Sequence, residues 1–114
     1  MTIARSIRFD RNASVDPAAP TTTHNWYEDP SGVLSSGFWA SKPSRGEVNY
    51  TEDEFCYILE GRVRLTDAAG KTEEYRAGDA FVIPKGFKGI WETVDPVKKF
   101  YVIHQPKAAS TAAA

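Results

Sequence analysis

The residues best placed to do chemistry lie in the segment Thr51–Thr66, where a carboxylate and a thiol stand among large apolar side chains. Glu54 is followed by an apolar run, and a carboxylate among such side chains has its neutral form favoured by loss of hydration. Glu54 is therefore a candidate general acid or base. The alternative is a buried glutamate whose oxygens are satisfied by tyrosine or backbone donors.

Cys56 lies two residues beyond Glu54, so strand alternation places both side chains on one face. A thiol in that position is a candidate nucleophile, but no motif places a histidine beside it to remove its proton. We interpret Cys56 as a small buried side chain that fills space.

Short apolar or alternating runs, separated by turn residues, are the elements that must position these groups. Phe55 to Leu59 is apolar on both faces, which predicts a strand covered by the barrel interior on one side and by a second sheet or subunit on the other. The spacing of the runs is typical of an all-β barrel or sandwich. The predicted strands are 33–41, 55–60, 62–66, 72–76, 80–83, 89–94 and 99–104, with a last corner at Asp95-Pro96.

These runs carry two patterns that resemble the sequence motifs of the cupin superfamily. In the first motif a Glu precedes a Gly by seven positions, as Glu54 precedes Gly61, and two His precede that Glu. The motif allows either four or three residues between its second His and this Glu. With four, the His positions fall on Glu47 and Asn49; with three, they fall on Val48 and Tyr50. Neither pair supplies the imidazoles that the superfamily uses to hold a metal ion.

The second motif is also present without its metal ligand. Gly78, Pro84 and Gly86 match the motif, but its His position is Gly89. The two histidines of the chain, His24 and His104, lie outside the ligand positions. We therefore expect no metal cofactor. An alternative is an oxygen-rich Mg²⁺ or Mn²⁺ site formed by Glu47, Asn49 and Glu54. We favour the interpretation that Glu47 and Asn49 are ordinary solvated residues of a strand or loop.

Residues 37–103 look most like the small single-domain cupins related to ureidoglycine aminohydrolase and the ethanolamine-utilisation cupin. The resemblance rests on Phe38-Trp39, the run Glu52–Gly61, Gly78-Asp79 and the run Pro84–Trp91. It implies an all-β, RmlC-like double-stranded β-helix, the jelly-roll barrel, in a single domain that is usually dimeric. It also implies metal-dependent hydrolysis in some relatives, which the missing ligands argue against here.

A pocket inside such a barrel would be lined by aromatic side chains. Trp91 shares a face with Gly89 by alternation, and Trp39 and Tyr50 are its expected neighbours. With Glu54 and Cys56 they form a cavity suited to a small polar or cationic organic molecule, while Lys85 at the mouth would meet an anionic group. The alternatives are that the aromatic rings fill the barrel and that Lys85 is solvated.

Length and composition narrow the class of partner. The chain has 114 residues, enough for one domain, and a formal net charge of -1, which gives no attraction to nucleic acid or to an acidic membrane. One cysteine allows no internal disulfide, and the N-terminus has no apolar signal core, so we expect a cytoplasmic protein. We divide the chain into an N-terminal strand and Pro/Thr-rich arm, 1–23, a barrel, 24–106, and a flexible tail, 107–114.

The sequence therefore favours a homodimeric cupin that binds a small organic molecule without a metal ion. A second hypothesis is a hydrolase or isomerase of a small nitrogenous metabolite, with Glu54 as the acid or base. A third hypothesis is a structural module that assembles with other proteins through the sheet, whose strand Phe55–Leu59 is apolar on both faces.

Overall fold

The fold is built entirely from antiparallel strands. A computed structural model describes residues 4–12 and 15–106. In that part of the chain there are seven strands and no helix, which confirms the expected all-β jelly-roll class. The strands are β1 (Thr22–Glu28), β2 (Leu34–Ser41), β3 (Ser44–Asn49), β4 (Asp53–Asp67), β5 (Thr72–Arg76), β6 (Ala80–Ile83) and β7 (Lys88–His104).

Two long strands, β4 and β7, organise the sheet. They pair with each other along nearly their full length, and the shorter strands add to their ends. The first half of β4 and the second half of β7 carry β6, β2 and β1, whereas the other halves carry β5 and β3. Cys56 and Ile58 of one half pack with Val63, Leu65 and Trp91 of the other, so the two halves enclose a common core.

The bend between the halves lies at Gly61 and Pro96. The register of β4 against β7 shifts on both sides of Gly61, which has a φ of 91°. A Cβ atom at Gly61 would collide with the Pro96 carbonyl group, so only glycine allows this close approach. Pro96 lies opposite the register shift at Gly61. The two strands are not regularly paired there, so the lack of a backbone N–H in proline leaves no hydrogen bond of the sheet unmade.

The predicted strands need three corrections. The runs 55–60 and 62–66 form one bent strand, and the runs 89–94 and 99–104 form another, because a bulge bends a strand without ending it. The predicted corner at Asp95-Pro96 therefore lies inside β7. Strands β1 and β3 were not predicted. Both lie at sheet edges, and every side chain of β3 except Val48 is exposed, so its sequence has no apolar alternation.

Residues 4–12 of the predicted N-terminal arm contain no strand, and the first strand begins at Thr22. Phe9 nevertheless packs edge-on against Phe100, with ring centroids 4.9 Å apart, and stacks on Trp26. The predicted tail, 107–114, lies outside the described residues. Within the described part of the chain, no helix is long and apolar enough to cross a membrane.

The bend allows a matched test of the glycine requirement. Gly70 has a φ of 90°, close to that of Gly61, but a Cβ at Gly70 would meet no atom within 4 Å. Both Gly→Ala variants carry the cost of positive φ, about 1 to 3 kcal/mol. We expect Gly61→Ala to lose clearly more stability than Gly70→Ala in urea unfolding, because only Gly61 also meets the Pro96 backbone. Equal losses would show that the close approach at the bend is not what requires glycine.

Candidate functional site

A buried ion pair joins β4 to β7 inside the barrel. Lys99 Nζ lies 2.7 Å from Glu54 Oε2, and the two side chains are only 6% and 9% exposed. The register explains the meeting, because Lys99 lies opposite Ile58 and Glu54 lies opposite Ile103, which places all four side chains on the interior face. At this distance the contact is a charge-assisted hydrogen bond.

Two indole rings enclose the Lys99 ammonium group. Lys99 Nζ lies 4.8 Å from the Trp39 ring centroid and 4.6 Å from the Trp91 centroid. The rings are perpendicular, with centroids 5.7 Å apart, so Nζ lies against both. Trp91 Nε1 donates a hydrogen bond to Thr93 Oγ1 at 2.9 Å, which fixes one ring. The indoles attract the cation and replace part of the hydration it loses on burial.

Cys56 lies behind the pair and is fully buried. Its thiol donates to Glu54 Oε2 at 3.5 Å, and its sulfur lies 3.7 Å from Lys99 Nζ. Burial raises the pKa of the Cys56 thiol to about 12, with the Lys99 charge opposing and the Glu54 charge assisting the shift. The thiol is therefore protonated at neutral pH, which fits the space-filling interpretation rather than the nucleophilic one.

The ion pair borders a cavity of about 430 Å³ that lies between the two halves of the barrel. Its charged side chains are Arg45, Glu47, Glu54 and Lys99, so two positive and two negative groups cancel. Arg45 and Glu47 are exposed, whereas Glu54 and Lys99 are buried. The full lining is Thr23, Trp39, Ser44, Arg45, Gly46, Glu47, Val48, Tyr50, Glu54, Trp91, Lys99, Tyr101 and Ile103.

Two tyrosine hydroxyls complete the polar lining. Tyr101 donates a hydrogen bond to Asn25 Oδ1 at 3.0 Å, which fixes its ring. Burial raises the pKa of Tyr50 and that of Tyr101, and the nearby Glu54 charge raises both further. Both hydroxyls are therefore protonated near neutral pH and are available as neutral donors and acceptors.

One oxygen of Glu54 faces the cavity. Oε2 accepts from Lys99 and Cys56, whereas Oε1 accepts from none of the described side chains. In residues 4–12 and 15–106, no fully buried side-chain oxygen or nitrogen lacks a hydrogen-bond partner. Oε1 is therefore accessible, and Glu54 presents it to any molecule that enters.

The structure brings together four of the six predicted pocket residues. Trp39, Tyr50, Glu54 and Trp91 line the cavity. Cys56 does not line it but lies in the core behind it. Lys85, which was predicted at the mouth, does not line the cavity. It is exposed in a turn, where its backbone N–H donates a hydrogen bond to Asp53 Oδ1 at 2.8 Å. The roles predicted for these residues stay predictions.

The residue that the sequence analysis missed is Lys99. It begins a predicted strand, and a lysine pair at a strand end is usually solvated. Alternation along that strand places Lys99, Tyr101 and Ile103 on one face, and this is the signal that could have found it. Its partner could not be found in this way, because Glu54 is 45 residues distant in the chain.

The residues present do not fit the metal ion that the cupin motifs imply. Glu47 lines the same cavity as Glu54, but Asn49, the third member of the predicted Mg²⁺ or Mn²⁺ set, lies outside it. Among the described residues, no three or more His, Cys, Asp or Glu side chains are placed to hold a metal. At Gly89, the motif's His position, a Cβ would collide with the Thr66 carbonyl oxygen, so this backbone has no room for an imidazole.

Comparison with known proteins agrees with this architecture. The EutQ-like cupin domain family matches residues 28–101, which is more than half of the chain. No curated protein matches the chain.

Solved structures extend the comparison. A DUF861 family protein from Thermotoga maritima is 38% identical over 56% of this chain and 73% of its own, with a TM-score of 0.55. A putative ethanolamine utilization protein Q from Salmonella typhimurium is 25% identical over 84% of this chain and 77% of its own, with a TM-score of 0.67. The EutQ protein of Clostridium difficile has a TM-score of 0.67 over 91% of this chain and 78% of its own, but at 19% identity it shows the fold alone.

The buried pair makes a direct prediction about stability. Lys99→Met keeps a long side chain between the indoles but leaves the Glu54 carboxylate buried without its partner. Removal of one member of such a pair costs about 3 to 5 kcal/mol, and we expect a loss of this size in urea unfolding. The double variant Glu54→Gln, Lys99→Met should recover most of it.

The control for this prediction is Lys71→Met. Lys71 Nζ lies 3.4 Å from Glu73 Oε2, but both side chains are more than half exposed. Loss of an exposed pair costs at most about 1 kcal/mol. If Lys99→Met were as mild as Lys71→Met, the buried pair would not be what stabilises the site.

Proposed function

Because the chain belongs to the EutQ-like cupin domain family, we propose that it binds a small organic molecule of zero net charge in the cavity, without a bound metal ion. The observation that carries the proposal is the Glu54–Lys99 pair, which lies between two indole rings beside a cavity of about 430 Å³. A cavity of this size, with mainly apolar walls and a few fixed polar groups, is typical of small-molecule sites.

The charges of the cavity select the class of molecule. The two positive and two negative lining side chains leave no net field to favour an anion or a cation. Glu54 Oε1 accepts a hydrogen bond, the Lys99 ammonium donates one, and the indoles of Trp39 and Trp91 contact an apolar body. The ligand that suits this lining has a compact polar head with an acceptor for Lys99, and a head that also has a donor can bind Glu54 Oε1.

Lys99 takes the part that a metal ion has in many cupins, that of the positive charge inside the barrel. A cation bound by Glu54 would lie about 2 to 2.6 Å from its oxygen. It would then be close to Lys99 Nζ, which is itself 2.7 Å from that carboxylate. Repulsion between the two positive charges, with little water to screen it, opposes such binding.

A rim variant tests the proposed binding. Thr23 is exposed and lines the cavity, so Thr23→Trp should narrow the entrance without disturbing the core. A calorimetric screen of neutral, anionic and cationic fragments should identify neutral binders, whose affinity falls about tenfold or more in this variant. Mn²⁺ and Mg²⁺ should give no thermal stabilisation.

Thr21→Trp is the matched control, because Thr21 is exposed and does not line the cavity. It should bind the same fragments as the natural chain. Equal binding by both tryptophan variants, or preference for charged fragments, would contradict the proposed site.

A second candidate is a metal-independent hydrolase or isomerase of a small nitrogenous metabolite, similar to ureidoglycine aminohydrolase. The accessible Oε1 of Glu54 supports it, because a carboxylate that faces the cavity can move a proton. Glu54→Gln should abolish ammonia release from ureido or amide substrates, while Lys71→Met should retain it. Turnover that survives Glu54→Gln excludes this candidate.

We also propose that the protein forms a homodimer. Phe55 pairs with Val82 on one side and with Val102 on the other, so the three side chains share the outer face of the sheet. Phe55 is 38% and Val82 58% exposed, so two large apolar side chains lie side by side on this face. By light scattering, Val82→Glu should shift the dimer toward monomer, whereas Thr72→Glu, at another exposed position, should not. A monomeric natural chain would refute the proposal.

A further inference from the structure

We infer that Lys99 forms an imine with a small uncharged aldehyde or ketone bound in the cavity, with Glu54 as the group that moves the proton. This inference rests on the proposed binding function and names the chemical class of the ligand. The reactive group is Lys99, which is the primary amine among the lining side chains and whose side chain is only 6% exposed. Buried lysines that form Schiff bases combine these same properties.

Attack on a carbonyl carbon requires a neutral amine, and the site contains the proton acceptor. Glu54 Oε2 lies 2.7 Å from Nζ, so the ammonium proton can pass along an existing hydrogen bond. A buried ion pair loses the hydration of both its members, and transfer of the proton leaves a neutral amine and a neutral acid. Entry of an apolar ligand body, which displaces cavity water, favours this neutral arrangement.

The reaction is balanced without an oxidant or a reductant. The amine nitrogen bonds to the carbonyl carbon, and the C=O double bond becomes a C–O single bond. One proton then passes from that nitrogen to the oxygen, which gives a neutral carbinolamine with a hydroxyl group. Glu54 returns its proton to that hydroxyl, which leaves as water while the C=N bond forms. One carbonyl compound and the Lys99 ammonium thus give one protonated imine and one water molecule.

The surroundings of Lys99 suit the product as well as the resting state. A protonated imine has the same single positive charge as the ammonium group it replaces. The Trp39 and Trp91 rings, at 4.8 and 4.6 Å from Nζ, and the Glu54 carboxylate therefore stabilise it in the same way. The buried position also limits the access of water that would hydrolyse the imine.

Reductive trapping of the natural chain tests the inference. The protein is incubated at pH 7 with benzaldehyde and cyanoborohydride, and the benzylated lysines are located by peptide mapping. We expect Lys99 to be labelled at least about tenfold faster than the exposed Lys85, since binding holds the carbonyl group beside the amine. Benzyl alcohol, which has the same ring and no carbonyl group, should slow labelling at Lys99 and leave Lys85 unchanged.

Lys98 is the internal control for burial. It is adjacent to Lys99 and almost as buried, but it lies on the opposite face of β7, where Nζ donates to the Arg11 carbonyl oxygen at 2.7 Å. Lys98 should therefore stay unlabelled. The part assigned to Glu54 has its own test, because Glu54→Gln should slow labelling at Lys99. Unchanged or faster labelling in that variant would contradict the proton transfer.

Tryptophan fluorescence separates this inference from the binding function. If benzyl alcohol quenches the fluorescence saturably but Lys99 is labelled no faster than Lys85, the imine inference is wrong and the proposed binding site is supported. Neither quenching nor selective labelling contradicts both. Selective labelling that benzyl alcohol suppresses supports both.

Discussion

The ion pair between Glu54 and Lys99 is the interaction on which the rest of the site depends. Two charges removed from water destabilise a protein unless their neighbours replace the lost hydration. Here a 2.7 Å charge-assisted hydrogen bond, two indole faces and the Cys56 thiol replace it. The pair links the two central strands and leaves Glu54 Oε1 open to the cavity. It therefore contributes to the packing of the barrel and to the chemistry of the cavity at once.

The bend at Gly61 and Pro96 is what allows that arrangement. Lys99 lies in the second half of β7, whereas Trp91 lies in the first half, and a straight strand would hold these side chains far apart along its length. The shifted register at the bend turns one half of the sheet over the other. The Trp91 ring then reaches to 4.6 Å from Lys99 Nζ.

Local pattern identified runs in five strands of the described chain, although it divided β4 and β7, and it missed β1 and β3. The runs in β2, β5 and β6 were identified because their alternation and turn residues are local signals. Strand β3 was missed because its exposed side chains carry no such signal, and its pairing with β7 depends on contacts more than 35 residues apart. The same limit applies to the site. Trp39, Tyr50, Glu54 and Trp91 were chosen through the motifs, but Lys99 stands outside them.

The sequence by itself determined the all-β class, the spacing of Glu54 and Gly61 in the first motif and the lack of imidazoles at the motif positions, because each depends on residue type and short spacing. The tertiary structure alone decided that Glu54 faces an ammonium group, that Lys85 and Asn49 lie outside the cavity, and that Gly89 has no room for a side chain. The physical reason is that antiparallel pairing fixes which distant residues share a face. The register between β4 and β7 places Glu54 and Lys99, and the register between β3 and β7 places Arg45 and Glu47, so two long-range registers set the charge balance of the cavity.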